Sequence, residues 1–182
     1  MWHDIPSGPK IPDIVNVIIE IPKGAQNKYE YDKKTNMIRL DRVLFSPIFY
    51  VGDYGMIPQT LSEDGDALDV LVLVTNPTYP GILIEARPIG LLKMKDGRKV
   101  DNKILCVANN DPRYSRCKNI HDVEEHTLKE IYHFFQVYKD LEGKKVQVIG
   151  WESASKAKNI IRSAIKTYKE QETKARLKPS KS

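Results

Sequence analysis

Hydrophobic and polar positions along the first two thirds of the chain follow patterns that are typical of short β-strands. β-Branched residues dominate positions 15–20 and predict a first strand, and positions 28–31 resume an extended chain after a turn. Apolar and polar residues alternate over positions 37–44, which places Arg42 on the apolar face. Positions 70–74 form an unbroken apolar run, as expected for a buried strand.

Three further strands are predicted after this run. Positions 82–94 and 100–108 are rich in strand-forming residues, and Asp96-Gly97 between them favours a tight turn. Positions 146–151 form the last predicted strand. Because the strands follow one another with short connections, we expect mainly antiparallel pairing.

Two segments in the last third of the chain have helical periodicity instead. Thr127 begins a Thr-Leu-Lys-Glu capping box, apolar residues follow at helical spacing, and Gly143 is expected to end this helix. Ser153 is expected to cap a second helix, whose apolar face comprises Ala157, Ile160, Ile161, Ala164, Ile165 and Tyr168. The pattern therefore predicts a mainly β (α+β) protein, a barrel or sheet with two C-terminal helices.

Length and composition fit one domain over residues 1–182. The chain is 41% hydrophobic and 29% charged, which is ordinary for a globular protein. The proline-rich positions 1–13 predict an extended N-terminal arm, and positions 173–182 predict a frayed basic tail that carries much of the net charge of +5. Two cysteines are too few for a disulfide framework and indicate reduced thiols in the cytoplasm. No segment indicates membrane insertion.

An acidic cluster directly before the apolar run is the strongest chemical signal. Asp64, Asp66 and Asp69 crowd together, and like charges this close usually require a cation. Carboxylate oxygens without His or Cys favour Mg²⁺, Mn²⁺ or Ca²⁺ over zinc. A polar turn before a strand is the alternative, and an EF-hand loop fits poorly because Leu68 and Asp69 occupy its Asp/Asn and Gly positions.

Other charged residues repeat the same chemistry in separate segments. Each alone could be a surface charge, a hairpin tip or a helix end. Together, carboxylates matched by cations and tyrosines suggest a site for divalent metals and a polyanion such as phosphate. These residues are Glu20, Lys28, Glu30, Arg42, Asp96, Asp101, Lys103, Tyr138 and Lys139.

At these positions the chain resembles the family I soluble inorganic pyrophosphatases. The resemblance runs from about Ile18 to Trp151. The matching pieces are Ile18-Ile19-Glu20-Ile21-Pro22, Lys28-Tyr29-Glu30, Asp41-Arg42, Phe49-Tyr50, Tyr54-Gly55, Asp64-Gly65-Asp66, Leu68-Asp69, Lys93-Met94-Lys95-Asp96, Asp101-Asn102-Lys103, His133-Phe134-Phe135 and Tyr138-Lys139-Asp140-Leu141. The resemblance implies a five-stranded OB-like barrel with flanking helices and hydrolysis of inorganic pyrophosphate.

The resemblance also implies roles for individual residues. Asp66 corresponds to the general base, Tyr54 to a residue supporting the nucleophile, and Glu30 to one that orders the site. The implied metal ligands are Asp64, Asp69, Asp96, Asp101 and, through water, Glu20. The implied phosphate-binding residues are Lys28, Arg42, Lys103, Tyr138 and Lys139.

The implied cofactor is Mg²⁺, with Mn²⁺ as a substitute and Ca²⁺ as an inhibitor, and the implied assembly is a homo-oligomer, with a hexamer favoured. A nucleic-acid-binding barrel is disfavoured because the clustered carboxylates would repel a nucleic-acid backbone. A purely structural Ca²⁺ module is disfavoured because it does not explain the matching cationic residues.

Two positions depart from the family's usual pattern: Ala67 replaces a proline, and Val51-Gly52-Asp53 precedes Tyr54. We expect these departures to affect rate or metal affinity rather than the reaction.

Overall fold

Nine strands and two α-helices make up the regular structure of this computed structural model, which describes residues 3–32, 34–63 and 65–177. The strands are β1 (Val15–Ile21), β2 (Asn27–Asp32), β3 (Met37–Val43), β4 (Asp53–Ile57), β5 (Leu68–Leu73), β6 (Leu83–Asp96), β7 (Lys99–Val100), β8 (Lys103–Ala108) and β9 (Val146–Ser153). The helices are α1 (Glu125–Val137) and α2 (Ala154–Leu177).

Five of the strands close into a ring. β1 pairs with β4 and β6, β4 pairs with β5, and β6 pairs with β8, all antiparallel. β5 and β8 complete the ring as a parallel pair. Closure leaves these strands without a free edge, which confirms the predicted five-stranded barrel.

The long strand β6 connects the ring to the rest of the sheet. Its C-terminal half also pairs with β9 and, through the turn at Gly97, with β7. Gly97 has φ +59°, a left-handed conformation that glycine adopts without strain. The Asp96-Gly97 turn predicted from the sequence is therefore confirmed.

Strands β2 and β3 form a separate two-stranded hairpin beside the ring. The apolar face predicted for positions 37–44 is only partly buried: Leu44 is in the core, whereas Leu40 is 52% exposed. The hairpin lies outside the ring, and no second layer covers its full length. The alternation of apolar and polar residues therefore did not predict which side chains are buried. Arg42 consequently lies on a half-exposed strand and not on a buried apolar face.

The two helices cover separate parts of the apolar core. Aromatic residues of α1, among them Phe134 and Phe135, pack with Tyr50 and Tyr54. α2 places Ala157, Ile161 and Ala164 against aliphatic residues of the barrel strands, as its predicted apolar face required. Burying a side chain of leucine or isoleucine size stabilises the folded state by ~1.5–3 kcal/mol. The packed faces of α1 and α2 therefore hold both helices against the rest of the core.

The start and end of α1 differ from the sequence prediction. Glu124 is the N-cap, and its carboxylate accepts a hydrogen bond from the Thr127 amide at 3.0 Å. Thr127 therefore lies inside the helix, because an acidic side chain satisfies its N–H and suits the helix dipole. The helix ends at Val137, and Gly143 (φ +70°) instead ends the short 3-10 turn Asp140–Glu142 that follows.

The cap of α2 was predicted correctly. The Ser153 hydroxyl accepts a hydrogen bond from the Lys156 amide at 3.5 Å. α2 continues to Leu177, so the part of the predicted frayed tail that the structure describes is helical, and positions 178–182 lie outside the described residues. Neither α1 nor α2, within the part of the chain described, carries an apolar stretch long enough to cross a bilayer.

The predicted extended arm is also different in the structure. Residues 3–13 form turns and bends instead of an extended chain. The Asn16 amide donates to the Ser7 carbonyl at 2.7 Å, and its side chain donates to the Pro6 carbonyl at 2.9 Å. These bonds hold the N-terminal segment against the start of β1.

Candidate active site

A polar cleft of about 410 Å³ lies between the β2–β3 hairpin, the barrel and the residues that follow α1. It brings together most of the predicted site residues: Glu20, Lys28, Glu30, Tyr54, Asp66, Asp69, Asp96, Asp101, Lys103, Tyr138 and Lys139. Arg42 does not line the cleft, and Asp64 lies outside the described residues. Segments far apart in sequence therefore meet in one place.

Lys103 lies at the centre of the cleft, between two carboxylates. Parallel pairing of β5 and β8 brings Asp69 beside Lys103, and their Oδ2 and Nζ atoms are 2.5 Å apart. The same ammonium donates to Asp101. Lys103 is only 4% exposed; burial alone would lower its pKa, but the two carboxylates outweigh burial and raise it. Lys103 is therefore charged at neutral pH.

A second ion pair crosses the cleft. Lys139, which follows the C-cap of α1, donates to Asp96 at the end of β6 across 2.5 Å. Its ammonium also lies 5.2 Å from the centre of the Tyr138 ring. Cations and carboxylates thus alternate across the cleft, and a bound polyanion would compete with the carboxylates for both lysines.

The hairpin supplies a third charged group. Lys28 donates to Glu30 on the same strand and lies 3.5 Å from Asp41. Asp41 also accepts from Arg42, whose Nε donates to Glu142 at 2.8 Å. Arg42 is therefore held by carboxylates at the rim.

Two buried tyrosines and a half-buried glutamate line the cleft. Burial raises the pKa of Tyr54 and Tyr138 above the ordinary phenol value, so both hydroxyls keep their protons and can donate hydrogen bonds. Glu20 accepts from the Tyr31 amide at 2.7 Å, and burial raises its pKa to about 7. A cation near Glu20 would lower that pKa and favour the carboxylate.

The loop between β4 and β5 carries Asp66, and Asp69 follows on β5. Thr60 is fully buried; its hydroxyl donates to the Ile57 carbonyl at 2.6 Å and accepts from the Leu68 amide at 2.9 Å. Within the loop the Ser62 amide donates to the Asp66 carbonyl at 2.7 Å. Gly65 has φ +93°, which only glycine adopts readily. The loop is therefore pinned at both ends.

Asp53, the acidic residue that precedes Tyr54 and departs from the family's usual pattern, is held by hydrogen bonds from two loops. Asp53 is fully buried and accepts hydrogen bonds from the Lys23 amide at 2.7 Å and the Thr78 hydroxyl at 2.6 Å. The Thr78 amide adds a third at 3.1 Å. This carboxylate joins two loops to β4 and does not face the cleft.

The donor set of the cleft fits a hard divalent cation. Its carboxylates come from Glu20, Asp66, Asp69, Asp96 and Asp101, and no His or Cys is among the described residues that line it. Within the described ranges, no three acidic, His or Cys side chains converge on one point, because Lys103 lies between Asp69 and Asp101. Asp64, the remaining acidic residue of the loop, lies outside those ranges.

Several residues at the site were not predicted. Tyr29, Tyr31, Met56 and Lys99 also line the cleft. Lys99 follows the Asp96-Gly97 turn and could have been suspected from that position, whereas Met56 and Glu142 carry no signal in the sequence. Such residues are found only when the strands that carry them are placed together.

Ala67 offers a direct test of the loop. It is buried and lines the cleft, its φ is negative, and its N–H donates to no group within the described residues. If the φ of Ala67 lies near the value of about −65° that proline requires, Ala67→Pro should stabilise the protein by about 0.4–1 kcal/mol by restricting the unfolded chain. Thermal midpoints in EDTA measure this effect. A clear fall in the midpoint would show that proline does not fit this loop.

Comparison with known proteins gives one consistent result. The sequence model of the inorganic pyrophosphatase family matches residues 17–169. The chain is 48% identical over 168 residues to the inorganic pyrophosphatase of Picrophilus torridus, covering 92% of this chain and 95% of that protein.

Solved structures agree with the sequence relatives. The crystal structure of the inorganic pyrophosphatase from Thermus thermophilus has a TM-score of 0.90 and 46% identity, covering 92% of this chain and 98% of that one. A truncated vacuolar soluble pyrophosphatase from Trypanosoma cruzi, solved in complex with PPi, has a TM-score of 0.83 and 26% identity over 94% of this chain and 79% of that one. Cleft, fold and sequence thus lead to one conclusion: the chain belongs to the inorganic pyrophosphatase family.

Proposed function

We propose that the protein hydrolyses inorganic pyrophosphate to two orthophosphates in the carboxylate- and lysine-lined cleft, by in-line attack of a water molecule. Family membership supports the reaction. One observation supports the location: the cleft combines hard carboxylate donors with Lys28, Lys103 and Lys139. A site for a polyanion and divalent cations needs both sets of groups.

The cationic side chains and the tyrosine hydroxyls would bind pyrophosphate and neutralise its negative charge. Lys28, Lys103 and Lys139 would donate to phosphate oxygens, and Tyr138 would add a neutral donor, since its phenol stays protonated. Arg42 would join them at the rim. Negative charge grows on the leaving phosphate as the bond breaks, so donors already in place stabilise the transition state most.

Proton transfer belongs to Asp66. It lies in the same cleft, on the acidic loop, where its carboxylate would take the proton of the attacking water. Tyr54 would donate a hydrogen bond on the side of the nucleophile, and Glu30 would orient Lys28, with which it already pairs. No covalent intermediate is needed.

The proposed metal is Mg²⁺, and Mn²⁺ is the proposed substitute. Asp64, Asp69, Asp96 and Asp101 would hold it, with Glu20 acting through water. When bound, the metal supplies charge neutralisation and lowers the pKa of water. The chain's own part would be to present oxygen donors at fixed positions: Asp69 lies on β5, Asp96 ends β6, and Asp101 lies just before β8.

We expect Ca²⁺ to bind the cleft, to support little hydrolysis and to inhibit the Mg²⁺-dependent reaction. Ca²⁺ takes longer bonds and a looser shell of about 6–8 oxygens, so it should place and activate water poorly. Steady-state rates with each metal and with mixtures measure this. Equal rates with the two ions would contradict the proposal.

The reaction itself is tested by orthophosphate release from pyrophosphate, with a colorimetric phosphate assay in Mg²⁺ and in EDTA. The proposal requires release in Mg²⁺ and its loss in EDTA. Absence of release in Mg²⁺, or a rate that EDTA leaves unchanged, would contradict it. ATP is a useful second substrate, because a preference for it would place the chain among other phosphohydrolases.

We also propose a homo-oligomer, with a hexamer favoured, in a reducing cytoplasm. Exposed aromatic residues support an interface: Phe45 is 60% exposed and Tyr79 is 74% exposed. Cys106 and Cys117 are both free and buried, which suits a reducing compartment. Light scattering on the purified protein measures the assembly, and a monomeric mass would overturn this part of the proposal.

A further inference from the structure

Glu142 carries a carboxylate outside the predicted set of site residues. It is the last residue of the 3-10 turn Asp140–Glu142, directly after Tyr138 and Lys139. Its side chain is only 4% exposed. Its cationic partners cover the carboxylate and compensate its charge, so they indicate what it does.

Two cations share the Glu142 carboxylate. Arg42 Nε donates to Oε1 at 2.8 Å, and Lys144 Nζ donates to Oε2 at 3.0 Å. The two contacts are unequal, because Lys144 is 57% exposed and Arg42 is 22% exposed. A bond to an exposed lysine contributes little, whereas one to a partly buried guanidinium holds a defined geometry.

The backbone of the turn is attached to Lys139. The Glu142 amide donates to the Lys139 carbonyl at 3.0 Å, and the Lys144 amide donates to the same oxygen at 3.3 Å. Lys139 itself reaches into the cleft to Asp96. The position of the Glu142 carboxylate is therefore fixed relative to a residue that lines the cleft.

Arg42 makes the connection on the opposite side. It lies on β3, directly opposite Lys28 on β2, and Asp41 contacts both cations. The hairpin has only two strands and is not part of the ring, and such hairpins are marginally stable alone. The ion pair from Arg42 to Glu142, in the 3-10 turn that follows α1, thus restrains the element that carries Lys28.

We propose that Glu142 is a positioning residue that holds the hairpin cations, Arg42 and Lys28, at a fixed distance from Tyr138 and Lys139. This inference rests on the proposed function, in which these four residues bind phosphate. Glu142 engages the Nε edge of Arg42 and Asp41 engages Nη1. Arg42 Nη2 bonds to no described residue, so this nitrogen is oriented by two carboxylates and is available to a phosphate oxygen.

The test is a KM-against-kcat comparison for pyrophosphate. Glu142→Gln keeps the size of the side chain and removes its charge, and it should raise KM about tenfold while kcat changes less than about threefold. Glu142→Asp keeps the charge and should recover part of the loss. In an Arg42→Gln background, Glu142→Gln should raise KM no further, because its effect passes through Arg42.

Lys144→Gln is the matched control. It removes the other partner of the same carboxylate and should leave KM unchanged. The inference is overturned if Glu142→Gln leaves KM unchanged, if it only lowers the thermal midpoint, or if its effect adds to that of Arg42→Gln. Failure of the proposed function is distinct, since the unmodified protein would then not release orthophosphate at all.

Discussion

Asp66→Asn should lower the turnover of pyrophosphate by about 10²–10⁴-fold while the fold is retained. The amide keeps the size of the carboxylate and one acceptor oxygen, but it cannot take the proton of the attacking water. Asp66 lies in the cleft on a loop pinned by Thr60, so the substitution should change chemistry more than position. Phosphate release at saturating Mg²⁺ measures the loss.

Asp13→Asn is the matched control for this substitution. Asp13 pairs with Lys158 at the surface and is not among the residues that line the cleft, so turnover should be unchanged. Far-ultraviolet circular dichroism establishes that both variants fold. Turnover of Asp66→Asn close to that of the unmodified protein would remove Asp66 from the role of general base.

Lys103→Gln should destabilise the metal-free protein by about 3–5 kcal/mol, because it leaves two carboxylates close together without their shared cation. Lys103 is almost fully buried and bonds to Asp69 and Asp101. Mg²⁺ should restore part of the loss, since a divalent cation can neutralise the same carboxylates. Thermal or denaturant unfolding in EDTA and in Mg²⁺ measures both effects.

Lys158→Gln provides the comparison for this result. It also removes a lysine from an ion pair, but with the solvent-exposed Asp13, and should cost far less stability than Lys103→Gln. Lys103→Gln should thus differ from it both in size and in its response to Mg²⁺. Equal losses for the two variants, or no rescue of Lys103→Gln by Mg²⁺, would contradict a charged Lys103 between the two carboxylates.

The barrel could be predicted because its strands carry local signals. β-Branched runs, the Asp96-Gly97 turn and short connections specify strands and antiparallel neighbours. The parallel pair β5–β8, which closes the ring, has no such signal, since it joins segments about thirty positions apart. That pair places Asp69 beside Lys103, so the central contact of the cleft depends on closure of the barrel.

Helix ends were predicted less well than helices. The apolar spacing identified α1 and α2 correctly, because that spacing determines which face packs on the barrel. The start of α1 was misplaced because Glu124 and Thr127 are both acceptable caps, and local sequence does not decide between them. The N-terminal segment forms turns because Ser7 and Pro6 bond to Asn16, a contact that proline content does not reveal.

Some residues of the site could also be predicted from the sequence, and others could not. Acidic and basic residues at matching positions could be recognised, and the structure brings all of them but Arg42 together among those it describes. Arg42, which is predicted to bind phosphate, is not among the residues that line the cleft, and it pairs with Glu142, a contact that the sequence does not show. Glu142 itself could not be found from the sequence, because its role depends on a contact between two distant elements.

The structure of the protein bound to pyrophosphate, with Ca²⁺ present to slow hydrolysis, tests the central claim most directly. We expect a diphosphate in the cleft, contacted by Lys103, Tyr138 and Lys139, with the Asp66 carboxylate on the side of the attacking water. A diphosphate bound elsewhere, such as in the cavity lined by Arg113 and Arg116, with the carboxylate cleft left empty, would contradict it.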